Sequence, residues 1–329
     1  MVDFSSNVYN FANQEQLRVH LMREMFCIHH YPPKEPVELE EILAKKLEIP
    51  VDCVLVTNGC TEAIYLLAQL FQGHASVIPQ PTFSAYVNAC RIHHHTISFE
   101  KTDELTHLSD DRLYWICNPN SPSGNVLMKG FLDYVVRRSK NHHFIVDQSY
   151  EHFTRAGLFV PKEVTDLPNL ILLHSLSKQY SIPGLRLGYV TACPAIIQQL
   201  RAIRQPWSVN ALAIEAGKWL LENVEASIPD LDAYLREAGR LRSELRKIKG
   251  VRVFETKSCY MLCQLDKVTA VELKEYLLNE HGMLIKDCSD SSGLSRYFFR
   301  VTAQTPEADD KLIAAIRNYM ENQNKSIQI

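Results

Sequence analysis

The chain has 329 residues, 46% hydrophobic and 22% charged, a balance that excludes a disordered or fibrous protein and allows a large buried core. A formal net charge of −3 excludes a global field that would recruit nucleic acid or an anionic membrane, so any anionic ligand must be met by a local site. Nine scattered cysteines form no CxxC pair, which points to free thiols in a reducing cytoplasm rather than a disulfide framework.

The N-terminus, Met1-Val-Asp-Phe-Ser-Ser-Asn7, lacks the basic-then-apolar pattern of a signal peptide, and no apolar run approaches the roughly 18 residues of a spanning helix. Residues 14–26 then read as a helix. From residue 51 to 189 short apolar runs alternate with amphipathic ones: strand 54–56, helix 61–71, strand 76–78, helix 83–91, strand 113–117, helix 128–139, and strands 143–147 and 170–174. Strands bracketing helices in this way predict a mainly parallel, buried sheet, hence an α/β fold. After Pro206 the pattern changes. Residues 211–249 read as one long helical stretch, followed by short strands at 252–254, 260–265 and 283–285 and helices at 271–280 and 306–321. This predicts a large domain over residues 28–205 and a smaller α+β domain from residues 1–27 and 206–329, with the boundary at Gln205/Pro206.

The polar residues with chemical content fall just after strand-like runs, where open α/β sheets bind ligands. Asn58-Gly-Cys-Thr61 opens a helix, so the N–H groups of Gly59, Cys60 and Thr61 and the helix dipole favour a phosphate. Ser175 and Ser177 add hydroxyls, and Arg186, eight residues after Lys178, can hold the same phosphate in a bidentate contact. Asp147 ends an apolar strand, and a buried carboxylate needs a cation such as a protonated pyridine nitrogen. Tyr150 can donate to a phenolate oxygen, and Lys178 can form an imine. Each piece alone is an ordinary cap, turn or surface residue. Their joint order and spacing are what discriminate.

The ordered set NGCTEA, PTFSAY, NPNSPSGN, VDQSYEHF and SLSKQYSIPGLRLGY resembles fold-type I pyridoxal 5′-phosphate (PLP) enzymes of the aspartate aminotransferase superfamily. The subgroup it resembles is that of histidinol-phosphate aminotransferase and threonine-phosphate decarboxylase. The resemblance implies an aspartate aminotransferase-like PLP fold, a PLP cofactor and a homodimer. It makes Lys178 the Schiff-base lysine, Asp147 the partner of the pyridine nitrogen and Tyr150 the donor to O3′. Cys60, Thr61, Ser175, Ser177 and Arg186 match the phosphate cup, and Phe83 the ring-stacking aromatic. Tyr31 matches a tyrosine that reaches the neighbouring subunit's cofactor phosphate, and Arg300 the arginine that holds a substrate carboxylate or phosphate. The subgroup usually reads Asn-Asn-Pro-Thr-Gly where this chain has Asn120-Ser-Pro-Ser-Gly124, so the contact to O3′ falls to Ser121 or to a shifted Asn120.

PLP supplies an electron sink and leaves the reaction open, because the Cα bond held perpendicular to its ring is the one that breaks. A transaminase aligns Cα–H and a decarboxylase aligns Cα–COO⁻. The run Lys286-Asp-Cys-Ser289, then Gly293-Leu294 and Arg300-Val301, is similar to threonine-phosphate decarboxylases, with Lys286 where that subgroup commonly has Arg. The implied reaction is decarboxylation of L-threonine O-3-phosphate to (R)-1-aminopropan-2-ol O-phosphate, a linker precursor in cobalamin biosynthesis. Histidinol-phosphate aminotransferase is the alternative. Substrate contacts are expected from Arg300, Lys286, Asn120, Ser6 and Asn7, with Arg296 a weaker candidate. A non-catalytic member of the fold is disfavoured because Lys178 and Asp147 are both present. No metal site is expected at His93-His-His95, since neighbours on a strand face opposite ways.

Overall fold

The structure, a computed structural model, describes residues 1–101, 112–224 and 230–326, with side chains through Gln323. Its strands in chain order are β1 (Val2–Asp3), β2 (Val54–Thr57), β3 (Ala75–Gln80), β4 (Thr96–Lys101), β5 (Leu113–Cys117), β6 (His143–Asp147), β7 (Leu170–His174), β8 (Gly188–Thr191), β9 (Val251–Val253), β10 (Tyr260–Leu265), β11 (Met283–Leu284), β12 (Lys286–Asp287) and β13 (Phe298–Thr302).

Seven strands form one sheet in the order β2-β8-β7-β6-β5-β3-β4. β8 runs antiparallel to both its neighbours, β2 and β7, and the other pairs there are parallel. β5 and β7 are buried at every residue because helices cover both faces of the sheet. Alternation along β5 sends Tyr114 and Ile116 into one apolar cluster, and Leu113, Trp115 and Cys117 into the other. In register, Cys117 lies beside Asp147 and Asp147 beside Leu173, so the carboxyl ends of β5, β6 and β7 finish level.

The smaller unit is an antiparallel sheet, β12-β13-β10-β9, packed with helices Leu231–Arg246, Ala270–His281 and Pro306–Ser326. Phe4 is buried in that core, and β1 pairs with β11, so the chain's first residues join this unit. Leu17, on helix Glu15–Arg23, packs instead in a cluster of the large sheet.

The expected helix over 211–249 is two helices, Ala211–Asn223 and Leu231–Arg246. Each has its own cap: Ala213 N donates to Asn210 Oδ1 and Ala233 N to Asp230 Oδ1. The first carries Ala213, Ile214, Ala216, Leu220 and Leu221 into the large sheet's cluster, so the boundary expected at Gln205/Pro206 separates this helix from the core it packs in. Helices Val37–Leu47 and Pro194–Ile203 and strands β4 and β8 were not expected from the sequence. Among the described residues no helix is long and apolar enough to cross a membrane.

Candidate active site

A cavity of about 310 Å³ lies between the carboxyl ends of β5, β6 and β7 and the smaller sheet. At one end helix Gly59–Leu70 presents its first turn, with Cys60 and Thr61 lining the space. Its free N–H groups make an anion site. Gly59 has φ +74°, and a Cβ there would run into the Arg186 guanidinium; a Cβ at Gly188 would sit 2.9 Å from Cys60 N. Both positions therefore need glycine to let Arg186 and β8 close on the helix start. Arg186 itself holds a left-handed backbone at φ 58° and lines the cavity, with Nη1 donating to Pro183 O at 3.0 Å.

The two serines divide their work. Ser175, at the entry to helix Leu176–Gln179, faces the cavity. Ser177 also lines it, but its hydroxyl donates to Leu187 O and accepts from Leu187 N, both at 3.0 Å. Its one proton is thus committed to the backbone, where it ties the lysine's helix to the start of β8. The Cys60 thiol turns away to His174 O at 3.1 Å, and burial pushes it up to about 12, so it stays neutral.

On the floor, Asp147 is 4% exposed. Its Oδ2 accepts from Tyr86 Oη at 2.6 Å and its Oδ1 from Ser149 N at 2.9 Å. Both donors are neutral. Phe83 stands at the cavity edge at the start of helix Ser84–Ile92. Tyr150 lines the cavity with its ring 5.1 Å from that of Tyr260, and burial pushes its phenol up to about 12, which keeps it a donor. Lys178 projects into the same space and donates to Ser6 O at 2.7 Å. Burial, then the Arg300 and Arg186 charges, pull its ammonium down to about 8.

The roof comes from the smaller sheet and the N-terminal segment. Lys286 and Arg300 are register partners across β12 and β13, so they share a face, and both line the cavity. Arg300 is buried; its Nη1 donates to Ser121 Oγ at 2.7 Å, its Nη2 to Ser5 O, and its Nε has no partner among the described residues. Lys286 is paired with Asp290 at 3.1 Å.

Several expected contacts lie elsewhere. Ser121, not Asn120, lines the cavity. The Asn120 amide is held in its loop, donating to Pro81 O and Ser123 Oγ and accepting from Thr82 Oγ1. Asn7 is fully buried behind the wall, its Oδ1 accepting from Thr302 Oγ1. Arg296 is exposed, its guanidinium over Tyr297. Tyr31 is 87% exposed and touches Trp207 rather than this chain's cavity. His93-His-His95 forms a helix end and turn instead of a strand, and both ring nitrogens of His95 are used, on Ser76 Oγ and Ala68 O. Sequence reasoning attached no role to Tyr86 or Asp290; a lone tyrosine on an apolar helix face gives no signal until its hydroxyl partner is seen.

The whole arrangement sits in a chain that matches the aminotransferase class I and II family over residues 1–316. The chain belongs to that family. It is 29% identical over 337 residues to threonine-phosphate decarboxylase of Salmonella typhimurium, covering 97% of this chain and 91% of that protein. It is 27% identical over 308 residues to a histidinol-phosphate aminotransferase of Caldanaerobacter subterraneus, covering 89% and 85%. Among solved structures, L-threonine-O-3-phosphate decarboxylase from Porphyromonas gingivalis superposes with a TM-score of 0.94 at 35% identity, covering 98% of this chain and 100% of that one. Enzymes of this family are PLP-dependent, and the fold here is the aminotransferase-like PLP fold. The cavity suits that cofactor chemically: a helix N-terminus with an arginine for a phosphate, a buried carboxylate whose donors are neutral, and a lysine already shifted toward its neutral form.

Proposed function

We propose that this chain decarboxylates L-threonine O-3-phosphate to (R)-1-aminopropan-2-ol O-phosphate, the linker precursor of cobalamin, as a PLP-dependent homodimer. What supports this choice within the family is the wall made by residues 286–300. The run similar to threonine-phosphate decarboxylases supplies Lys286, Cys288, Asp290, Ser291 and Arg300 to the cavity. Asp287 fixes its turn by accepting from Ser289 N and Ser289 Oγ, and Ser292 Oγ accepts from Gln80, which pins the loop to the large unit.

PLP bound in the cavity would supply an electron sink for the substrate's reacting bond. Cys60 N, Thr61, Ser175 and Arg186 hold its phosphate, Asp147 its ring nitrogen, and Tyr150 and Ser121 its phenolic oxygen. Phe83 covers its ring and Lys178 anchors it. A substrate with two anionic ends needs two cationic subsites. Arg300 takes one in a bidentate contact, displacing Ser5 O, and Lys286 takes the other when Asp290 releases it. Lys178 Nζ, pulled down to about 8, can carry a proton to Cα near neutral pH. Tyr31 stands outside its own cavity, and the segment that precedes it in sequence exposes Met22, Met25, Phe26 and Ile28, apolar residues suited to a second copy whose site Tyr31 would complete.

The alternative, a histidinol-phosphate aminotransferase, is favoured by relatives of nearly equal identity. Incubating the PLP-loaded protein with threonine phosphate and measuring CO₂, in parallel with histidinol phosphate plus 2-oxoglutarate and measuring glutamate, separates the two. CO₂ without glutamate is expected; glutamate without CO₂ would replace the proposal by the alternative.

A further inference from the structure

Tyr86 is a buried polar side chain on the cavity floor that the proposed chemistry leaves unused. It is 1% exposed, and its hydroxyl donates to Asp147 Oδ2 at 2.6 Å. Its ring is held on two sides, by Trp115 at 5.8 Å and 28° and by Phe83 at 5.8 Å and 89°. One helical turn separates Tyr86 from Phe83, so the helix that presents the aromatic at the cavity edge also presents the donor to the carboxylate. Burial and the Asp147 charge hold the Tyr86 phenol well above its usual range, so it remains protonated and is the donor in its contact with the carboxylate.

We infer that Tyr86 is a positioning residue: its hydroxyl keeps Asp147 ionised and aimed so that the carboxylate can pair with a ring nitrogen. The inference rests on the proposed role of Asp147. A carboxylate buried this deeply is costly unless hydrogen-bonded. Ser149 N serves one oxygen and Tyr86 the other, and each oxygen keeps a lone pair for a third partner. Removing the hydroxyl leaves Oδ2 without a donor and favours the protonated acid, which cannot pair with a cation. The other titratable groups facing Asp147 do not titrate in the acid range. Cys60 and Tyr150 are each pushed up to about 12, and burial raises Cys117 as well. Lys178, pulled down to about 8, stays cationic there. The phosphate of PLP titrates alike against every variant, so a change in the acid limit between wild type and Tyr86→Phe reports the Tyr86–Asp147 contact.

The test is PLP affinity of the cofactor-free full chain, read by protein fluorescence from pH 5 to 8, for wild type, Tyr86→Phe, Asp147→Asn and the double variant. Phenylalanine keeps the ring and its packing. Losing a hydrogen bond to a charged group is expected to weaken PLP binding about 10-fold or more and to move the acid limit to higher pH. In the Asp147→Asn background the same change is expected to have little effect. Incorporating 3-fluorotyrosine at position 86, a stronger donor with the same shape, is expected to move the acid limit to lower pH. This arm stands even where Tyr86→Phe does not fold. Unchanged affinity and acid limit in Tyr86→Phe, an equal loss in the Asp147→Asn background, or no response to 3-fluorotyrosine would each overturn the inference. Failure of the wild type to bind PLP, or binding indifferent to Asp147→Asn, would instead overturn the role of Asp147 on which it rests.

Discussion

On the cavity floor, Asp147, the last residue of β6, accepts from Tyr86 and Ser149 N, and Ser177 closes a reciprocal pair with Leu187 between the fully buried strands β7 and β8. On the roof, Arg300 donates to a backbone carbonyl of the N-terminal segment and has an idle Nε, while Lys286 rests on the exposed Asp290. The floor's partners are permanent parts of the sheet and turns. The exposed Lys286–Asp290 pair is a stand-in that an incoming anion can displace at little cost, since such a pair contributes about 0–1 kcal/mol, whereas the buried Arg300 exchanges its Ser5 O contact for the anion. Lys178 joins the two regions: its helix belongs to the floor and its amine rests on Ser6 O. The difference suggests a division of labour, with the floor built before any ligand arrives and the roof completed by the substrate.

Changes that cross this division should separate cofactor binding from substrate binding. The largest effect is expected for Lys178→Ala, with a loss of about 10³-fold or more in kcat/KM, read by CO₂ release, in a protein whose melting profile stays cooperative. Next is Arg300→Lys, which loses the guanidinium fork and should lower kcat/KM about 100-fold while PLP affinity stays near wild type. A matching loss of PLP affinity would break the division. Lys286→Gln should raise KM about 10-fold with a smaller effect on kcat, because the removed charge is partly exposed and already paired. Smallest is a stability effect. Between about pH 8 and the usual lysine value of 10.5, the unfolded chain holds a proton on residue 178 that the folded chain has released. Stability of the cofactor-free protein therefore rises with pH across that window, and Lys178→Met should flatten the rise in urea titrations.

The floor was far more legible in the sequence than the roof. Strands β5, β6 and β7 are short continuous apolar runs, each followed by a polar residue, and that pattern alone placed Asn118, Asp147 and Ser175 at one sheet rim. Spacing did not reveal which polar atoms are free. Ser177 and Ser175 look equivalent in sequence, but the antiparallel return of β8 gives Ser177 the Leu187 backbone as a partner. Asn120 and Ser121 are adjacent, and only the folded turn shows Asn120 claimed by Pro81 and Ser123. On the roof, Arg300 and Lys286 became a pair through strand register, a long-range property invisible to local periodicity. The break after Asn223 was legible in principle. Asp230 is a cap residue, but the apolar periodicity running past it outweighed the signal. Edge strand β4, with its exposed and half-buried residues, offered no apolar run to find.

The most direct test of the proposed reaction follows the fate of Cα in heavy water. PLP-loaded protein is incubated with L-threonine O-3-phosphate in D₂O, and the mixture is read by proton NMR and mass spectrometry. The account predicts 1-aminopropan-2-ol O-phosphate carrying one deuteron at C1, with CO₂ released in equal amount. Recovery of threonine phosphate with its Cα proton exchanged for deuterium, and no CO₂, would contradict it.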